Sequence, residues 1–292
     1  MMVGDMVNEK QKGLAYSIQS FLCNAGSLVG FLFPFIFTWI GISNIAPQGV
    51  VPDSVIYSFY IGAAILILCV IYTTVKVKEM PPAEYAEYHG ITEEEKKKKI
   101  NMVKLLVKAP KAFWTVGLVQ FFCWFAFMFM WTYTNGSVAA NVFDAPTVET
   151  VVNGANKVVL DTKNIQYQNA ADWVGVLFAV QAIGSVLWAV CIPMFKNRKL
   201  IYSLSLVLGG IGFISTYFVH NQYVLFISFL LIGCAWAAML ALPFTILTNA
   251  LSGGHMGTYL GLFNGTICIP QIVAATLGGS ILALFTPKGM LP

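Results

Sequence analysis

Seven long stretches of the chain are apolar and contain no lysine, arginine, aspartate or glutamate. They cover residues 14–40, 54–75, 113–133, 173–195, 200–219, 223–247 and 259–285. A helix needs about 20 apolar residues to cross a hydrocarbon layer roughly 30 Å thick. Within lipid, backbone polar groups must be bonded inside each segment, which makes each stretch a helix. The sequence therefore predicts an all-α polytopic membrane protein, with about seven transmembrane helices and the lipid bilayer as partner.

The composition agrees with this fold class. Apolar residues make up 58% of the 292 and charged residues 10%, whereas about a quarter of the residues in a soluble domain are charged. The net charge of +4 comes from lysines in the connections between apolar stretches. Basic residues placed in this way do not form a nucleic-acid-binding patch, so no nucleic-acid partner is expected.

The residue types that bind metals or catalyse reactions are scattered. Each of the six cysteines lies inside an apolar stretch and none forms a CxxC pair: Cys23, Cys69, Cys123, Cys191, Cys234 and Cys268. Cysteine in hydrocarbon behaves as a small apolar residue. The three histidines lie in separate connections. We therefore predict no disulfide, no metal site, no cofactor and no enzyme.

The basic residues predict the orientation. All lysines and arginines except Lys157, Lys163 and Lys288 fall in alternate connections, before the first stretch, after the second and after the fourth. Connections rich in lysine and arginine stay in the cytoplasm. The sequence thus predicts a multi-pass protein of the cell (inner) membrane whose N-terminus is cytoplasmic.

Two connections are long. In residues 76–111, Thr92 precedes Glu93–Glu95 as in a helix capping box. The spacing for one apolar face is that of Ile100, Val103, Leu106 and Val107. This pattern favours an amphipathic helix at the inner membrane surface, ended by Pro110; a solvated linker is the alternative. The other connection, residues 135–171, is polar and predicted outside, with no recognisable chemistry.

Three segments carry a family resemblance. GTYLGLFNGTICIPQIVAATLGG (residues 257–279) resembles the eleventh helix of major facilitator sugar symporters, which include sucrose and maltose proton symporters and glycoside–pentoside–hexuronide cation symporters. VQFFCWFAFMFMWTYTNG (residues 119–136) resembles their seventh helix. VGDMVNEKQKGLAYSIQSFLCNAGSLVG (residues 3–30) resembles the end of the fourth helix, a short loop and the fifth helix.

The resemblance implies a partial major-facilitator fold equivalent to helices 5–11 of 12, so the chain is expected to be truncated. Residues 1–75 would end the N-terminal half, residues 76–112 would form the cytoplasmic linker, and residues 113–292 would form most of the C-terminal half. The implied function is symport of a sugar, such as maltose or sucrose, with a proton or sodium by alternating access. The substrate would bind near the bilayer midplane, between the halves.

One face of the third stretch carries the main candidates for substrate binding. Gln120, Trp124, Phe127, Trp131 and Asn135 follow at spacings of three or four, which places them on one side of a helix. Aromatic rings stack on the apolar face of a sugar, and an amide bonds to hydroxyls. Packing of the tryptophans in the core or against lipid is the alternative.

Further candidates lie on other stretches, and for these residues helix packing is the alternative to binding. They are Gln181 and Trp188, which share a face with Ser185; Asn264 and Gln271, which share a face with Cys268 beside Pro270; and Gln19, which shares a face with Tyr16 and Cys23. The glycines on this last face, Gly26 and Gly30, form a small-xxx-small pattern that predicts close helix packing.

A coupling ion needs an ionisable or oxygen-rich site. The seven stretches contain no carboxylate, and Asp5, which matches an aspartate of the family's loop signature, is the candidate for cation coupling. A salt bridge between loop and helix is its alternative role.

Other functions remain open from the sequence. A seven-helix receptor or retinal protein has the same helix count, but residues 259–285 lack the lysine that would hold retinal, and the N-terminus is predicted inside. A membrane enzyme lacks a supporting motif. An incomplete, non-functional membrane fragment is the last alternative.

Overall fold

The computed structural model describes residues 7, 11–42, 51, 53–78, 81, 84, 87, 102–152, 155–251 and 256–285. The described chain forms nine α-helices, a short 3₁₀ turn (Ile192–Met194) and one β-hairpin. The helices are α1 Lys12–Trp39, α2 Asp53–Lys76, α3 Met102–Val107, α4 Lys111–Asn141, α5 Ile165–Cys191, α6 Arg198–Phe218, α7 Leu225–Ala250, α8 Met256–Phe263 and α9 Gly265–Phe285. The hairpin strands are β1 Thr147–Val152 and β2 Ala155–Leu160.

The predicted membrane spans are helical. Six segments of the described chain are long and apolar enough to cross a membrane: α2, α4, α5 with its 3₁₀ turn, α6, α7, and Gly257–Ile281, which runs through α8 and α9. The first apolar stretch coincides with α1, a helix of 28 residues. The predicted helical, polytopic fold is therefore confirmed.

The connection between α4 and α5 is more ordered than the sequence analysis anticipated. α4 runs to Asn141 and α5 begins at Ile165, so both helices extend beyond their apolar stretches. Between them, β1 and β2 pair antiparallel, with Thr147 opposite Leu160 and Val152 opposite Ala155. Asn153-Gly154 lies between these valine-rich strands in the sequence, and Asn-Gly is a strong hairpin signal.

Helix α7 is the centre of the packed bundle, with α1, α4, α5 and α6 against it. Glycines permit the closest approaches. A Cβ on Gly184 of α5 would lie 2.7 Å from the Leu230 carbonyl oxygen of α7. A Cβ on Gly212 of α6 would lie 2.7 Å from the Ser228 carbonyl oxygen of α7. A Cβ on Gly233 would overlap the Gln181 carbonyl oxygen. Small residues at these positions let helix backbones meet in a lipid environment.

The close packing predicted at Gly26 and Gly30 is wrong for the part of the chain that the structure describes. Both glycines are exposed, and no described atom lies within 4 Å of the position a Cβ would take. α1 instead packs on α5 and α7 through other residues. Ser20 donates a hydrogen bond of 3.2 Å to the Ala237 carbonyl oxygen of α7, and Tyr16 stacks on Phe244 with ring centroids 6.0 Å apart.

The long connection that is predicted to be cytoplasmic contributes the short helix α3. The described part of the predicted amphipathic helix is Met102–Val107, and the proposed capping box at Thr92–Glu95 lies outside the described residues. Leu106 packs against the cluster formed by α4, α7 and α8, while Val103 and Val107 are exposed. Tyr259 donates a hydrogen bond of 3.3 Å to the Leu105 carbonyl oxygen. α3 is thus attached to α8, with apolar side chains left outside the bundle.

Candidate functional site

The polar and aromatic face predicted on the third stretch lies on α4 and meets α7. Gln120 is fully buried, and its Nε2 donates a hydrogen bond of 3.1 Å to the Met239 carbonyl oxygen. Its Oε1 is also buried but accepts no hydrogen bond from any described residue. An unmatched buried acceptor costs about 1–3 kcal/mol. Gln120 therefore leaves one buried acceptor without a partner among the described residues.

Trp124 lies one helical turn from Gln120 and adds an unmatched donor. Its indole Nε1 is buried, and no acceptor among the described residues reaches it. Indole N–H groups normally find a partner when they are buried. The two neighbouring positions on α4 thus leave one acceptor and one donor without protein partners.

The tryptophans belong to an aromatic cluster that the sequence analysis only partly anticipated. Trp236 of α7 lies 5.6 Å from Trp124, 5.3 Å from Trp131 and 4.9 Å from Phe127 between ring centroids. Trp124 and Trp131 are 6.3 Å apart. Trp236 was not predicted, although it is the one tryptophan of residues 223–247, which was the available signal. We call Trp124, Phe127, Trp131 and Trp236 the aromatic cluster.

Gln19 and Asn264 come together at a cavity of about 300 Å³ between α1, α7 and the turn from α8 to α9. Tyr16 and Phe244 also line this cavity, and their stacked rings form part of its wall. We call it the inner cavity, because it lies toward the α7 end that is predicted to face the cytoplasm. It is bounded by helices from both predicted halves of the chain.

The aromatic cluster and the inner cavity share one face of α7. Trp236, Leu240 and Phe244 follow at four-residue spacing, and such residues lie above one another on a helix. Trp236 belongs to the cluster, whereas Leu240 and Phe244 line the cavity.

Gln181 and Trp188 lie in helix contacts. Gln181 is 6% exposed, and its carbonyl oxygen lies where α5 meets Gly233 of α7. The Ser185 hydroxyl lies 2.8 Å from the Gly233 carbonyl oxygen in the same contact. Trp188 turns to α6 and donates a hydrogen bond of 2.8 Å to the Ser205 hydroxyl. These contacts favour the packing alternative for both predicted residues.

The remaining predicted residues are not brought to this site. Gln271 lies half-buried on α9, which packs against α4, and it does not line the inner cavity. Asp5, the candidate for cation coupling, lies outside the described residues. A second cavity of about 640 Å³ opens between α4, α6 and α7 at the predicted outer side, and none of the predicted site residues line it.

The chemistry of the site is neutral. The side chains of the cluster and inner cavity are aromatic, amide, hydroxyl, thiol or aliphatic groups. Within the described ranges, no three His, Cys, Asp or Glu side chains lie together as a metal site would require. Aromatic faces combined with unmatched donors and acceptors suit an uncharged ligand that carries several hydroxyl groups.

The comparisons identify the family. Residues 1–152 match the family model described as Major Facilitator Superfamily, which covers α1 to α4 and the first strand of the hairpin. No curated protein matches the chain. The match extends over more than half of the chain, and the helical architecture with its membrane-length spans is consistent with it. The chain belongs to the Major Facilitator Superfamily, a family of membrane transporters.

Proposed function

We propose that the protein is a secondary active transporter that carries an uncharged sugar, a disaccharide such as maltose or sucrose, with a proton or sodium. Membership in the superfamily favours transport over the receptor-like alternative. The resemblance of residues 119–136 and 257–279 to sugar symporters suggests the substrate class. The equivalence of the chain to helices 5–11 of 12, and the boundaries of its two halves and linker, stay predictions.

The observation that carries this proposal is the composition of the aromatic cluster. Three tryptophans meet with ring centroids 5.3–6.3 Å apart, next to the unmatched Gln120 Oε1 and Trp124 Nε1. A sugar ring has an apolar face for the indole rings and hydroxyl groups that both donate and accept hydrogen bonds. It would therefore satisfy both unmatched atoms without bringing a charge into the membrane, where charges are costly.

Alternating access requires the two halves to separate on one side of the site at a time. The described contact between α1 and α7 is suited to this movement, because it includes a long hydrogen bond of 3.2 Å from the Ser20 hydroxyl to the Ala237 carbonyl oxygen. Tyr16 and Phe244 meet beside it across the inner cavity. We propose that parting of α1 from α7 opens the inner cavity to the cytoplasm.

Uptake of labelled maltose and sucrose into vesicles containing the chain tests the proposal. Trp124→Ala and Gln120→Ala should each lower sugar uptake at least tenfold with normal membrane insertion, since a lost ring or amide removes contacts with the ligand. Trp114→Ala is the matched control, because Trp114 lies on the same helix but is 54% exposed at its surface. Unchanged uptake in both site variants contradicts the proposed site. A wild-type chain that inserts without any uptake contradicts transport by this chain and supports the non-functional alternative.

Imposed gradients test the coupling. A proton or a sodium gradient should accelerate sugar accumulation in the wild type, and Asp5→Asn should abolish that acceleration while leaving sugar equilibration intact. Equal accumulation with and without either gradient contradicts symport. Antibody access to an N-terminal tag in intact cells tests the predicted cytoplasmic N-terminus in the inner membrane.

A further inference from the structure

A second polar pair lies further along the same face of α4, at the predicted outer end. The Asn135 Nδ2 donates a hydrogen bond of 3.0 Å to the hydroxyl oxygen of Tyr167 on α5. The Asn135 Oδ1 is buried and accepts no hydrogen bond from the described residues. The Tyr167 hydroxyl accepts from Asn135, and within the described ranges its own proton is donated to no acceptor. The pair therefore offers one free acceptor and one free donor.

Gln120 and Trp124 offer the same combination of one acceptor and one donor, nearer the middle of α4. There, Gln120 Oε1 is the free acceptor and Trp124 Nε1 is the free donor. Asn135 and Trp124 are eleven residues apart in the sequence. At 1.5 Å per residue, the two pairs are separated by about 16 Å along the helix axis. Trp131 lies between them and contacts Trp124 and Trp236.

We propose that Asn135 and Tyr167 form a second binding station for the same uncharged polyhydroxyl ligand, on the predicted outer side of Trp131. A ligand hydroxyl donates to Asn135 Oδ1 and another accepts from the Tyr167 hydroxyl. This inference rests on the proposed function, since it assumes a sugar ligand. The inner station is Gln120 with Trp124, and the outer station is Asn135 with Tyr167.

The outer station lies beside the buried cluster that also contains residues from both ends of the hairpin segment. Tyr167 packs against the buried cluster that contains Ala145 and Leu160, at the two ends of the hairpin segment. The β-hairpin thereby helps to hold α4 and α5 at the distance that the hydrogen bond from Asn135 to Tyr167 requires. The station is separate from the 640 Å³ cavity, whose lining includes Thr134 and Val138 on α4 but not Asn135.

Binding stoichiometry tests the proposal. The purified 292-residue chain in lipid nanodiscs is equilibrated with labelled maltose, and the number of molecules bound at saturation is measured by equilibrium dialysis. We expect two for the wild type and one for Asn135→Leu/Tyr167→Phe. This double variant removes donor and acceptor together and keeps the ring of Tyr167, so it leaves no new unmatched group at the pair. Gln120→Leu/Trp124→Phe should lose the other molecule. Tyr167→Phe alone should weaken binding at the outer station about fivefold, as expected for one neutral hydrogen bond.

Asn141→Leu and Tyr217→Phe are the matched controls and should still bind two molecules. Asn141 bonds to the Ser137 carbonyl oxygen of its own helix, and Tyr217 is 80% exposed. One bound molecule in the wild type, or two in Asn135→Leu/Tyr167→Phe, overturns the second station. A wild type that binds one molecule and transports it leaves the proposed function standing. A wild type that binds no sugar overturns both.

Discussion

Helices α2 and α7 have the same mean hydropathy of 2.4 over their most apolar windows, yet their surroundings differ. Only 6% of that window is buried in α2, compared with 61% in α7. α7 is enclosed by α1, α4, α5 and α6, whereas α2 packs on α1. Hydropathy thus measures the suitability of a helix for the bilayer and does not tell whether lipid or protein surrounds it.

The physical reason is that lipid tails are as apolar as leucine, so apolar side chains gain little from leaving lipid for protein. Close packing depends instead on the shape of the helix surfaces, because backbones can approach only where the side chains are small. α7 carries Gly233, Ala235, Ala237, Ala238 and Ala241 at buried positions, where neighbouring backbones approach. α2 has a glycine as well, but no described atom lies within 4 Å of a Cβ built on Gly62.

Among substitutions that test this difference in packing between α2 and α7, Gly233→Val should have the largest effect on stability. A Cβ there overlaps the Gln181 carbonyl oxygen and lies 2.9 Å from the Ser185 backbone nitrogen, so α5 and α7 must separate. The free energy of unfolding should fall by about 3 kcal/mol. Gly62→Val on α2 is the control and should change it little. Thermal unfolding of both variants in the same detergent measures the difference, and equal stability would mean that the two helices are packed alike.

A smaller effect is expected for truncating a large apolar side chain. Leu242 of α7 is 1% exposed, and Leu242→Ala should cost about 2 kcal/mol by leaving a cavity, the lower end of the range for soluble cores. Ile67 of α2 is 58% exposed, and Ile67→Ala should be nearly neutral because lipid fills the space. Unfolding in nanodiscs tests both. A large loss in Ile67→Ala would show that α2 is covered by protein in the membrane.

The smallest effect concerns a single hydrogen bond between helices. Trp188→Phe removes the indole that donates to Ser205 and should lower stability by about 0.6 kcal/mol, the average for such bonds in a membrane protein. Sugar uptake should keep the same KM, since Trp188 faces α6 and lies outside the aromatic cluster. A raised KM at unchanged stability would indicate that Trp188 contacts the substrate after all.

Much of the candidate site could be predicted from the spacing of residues along single helices. The face of α4 that carries Gln120, Trp124, Trp131 and Asn135 follows from helical periodicity, and the structure keeps these residues on one side. Trp236 was missed because its neighbours are alanines and no polar residue marks its face. Tyr167 was missed because it lies in a polar connection that α5 extends into. Both residues acquire their roles from another helix, which periodicity within one segment does not report.

The sequence by itself determined that the chain is helical and suited to a membrane, because uncharged stretches of this length have no other way to satisfy their backbone in lipid. It also indicated where polar groups share a helix face. The tertiary structure alone decided which faces meet: that α7 is enclosed while α2 is exposed, that Trp188 turns to Ser205, and that Gln19 and Asn264 share a cavity. These outcomes depend on the fit of backbones at glycine and alanine positions in different helices, and side-chain hydropathy does not encode that fit.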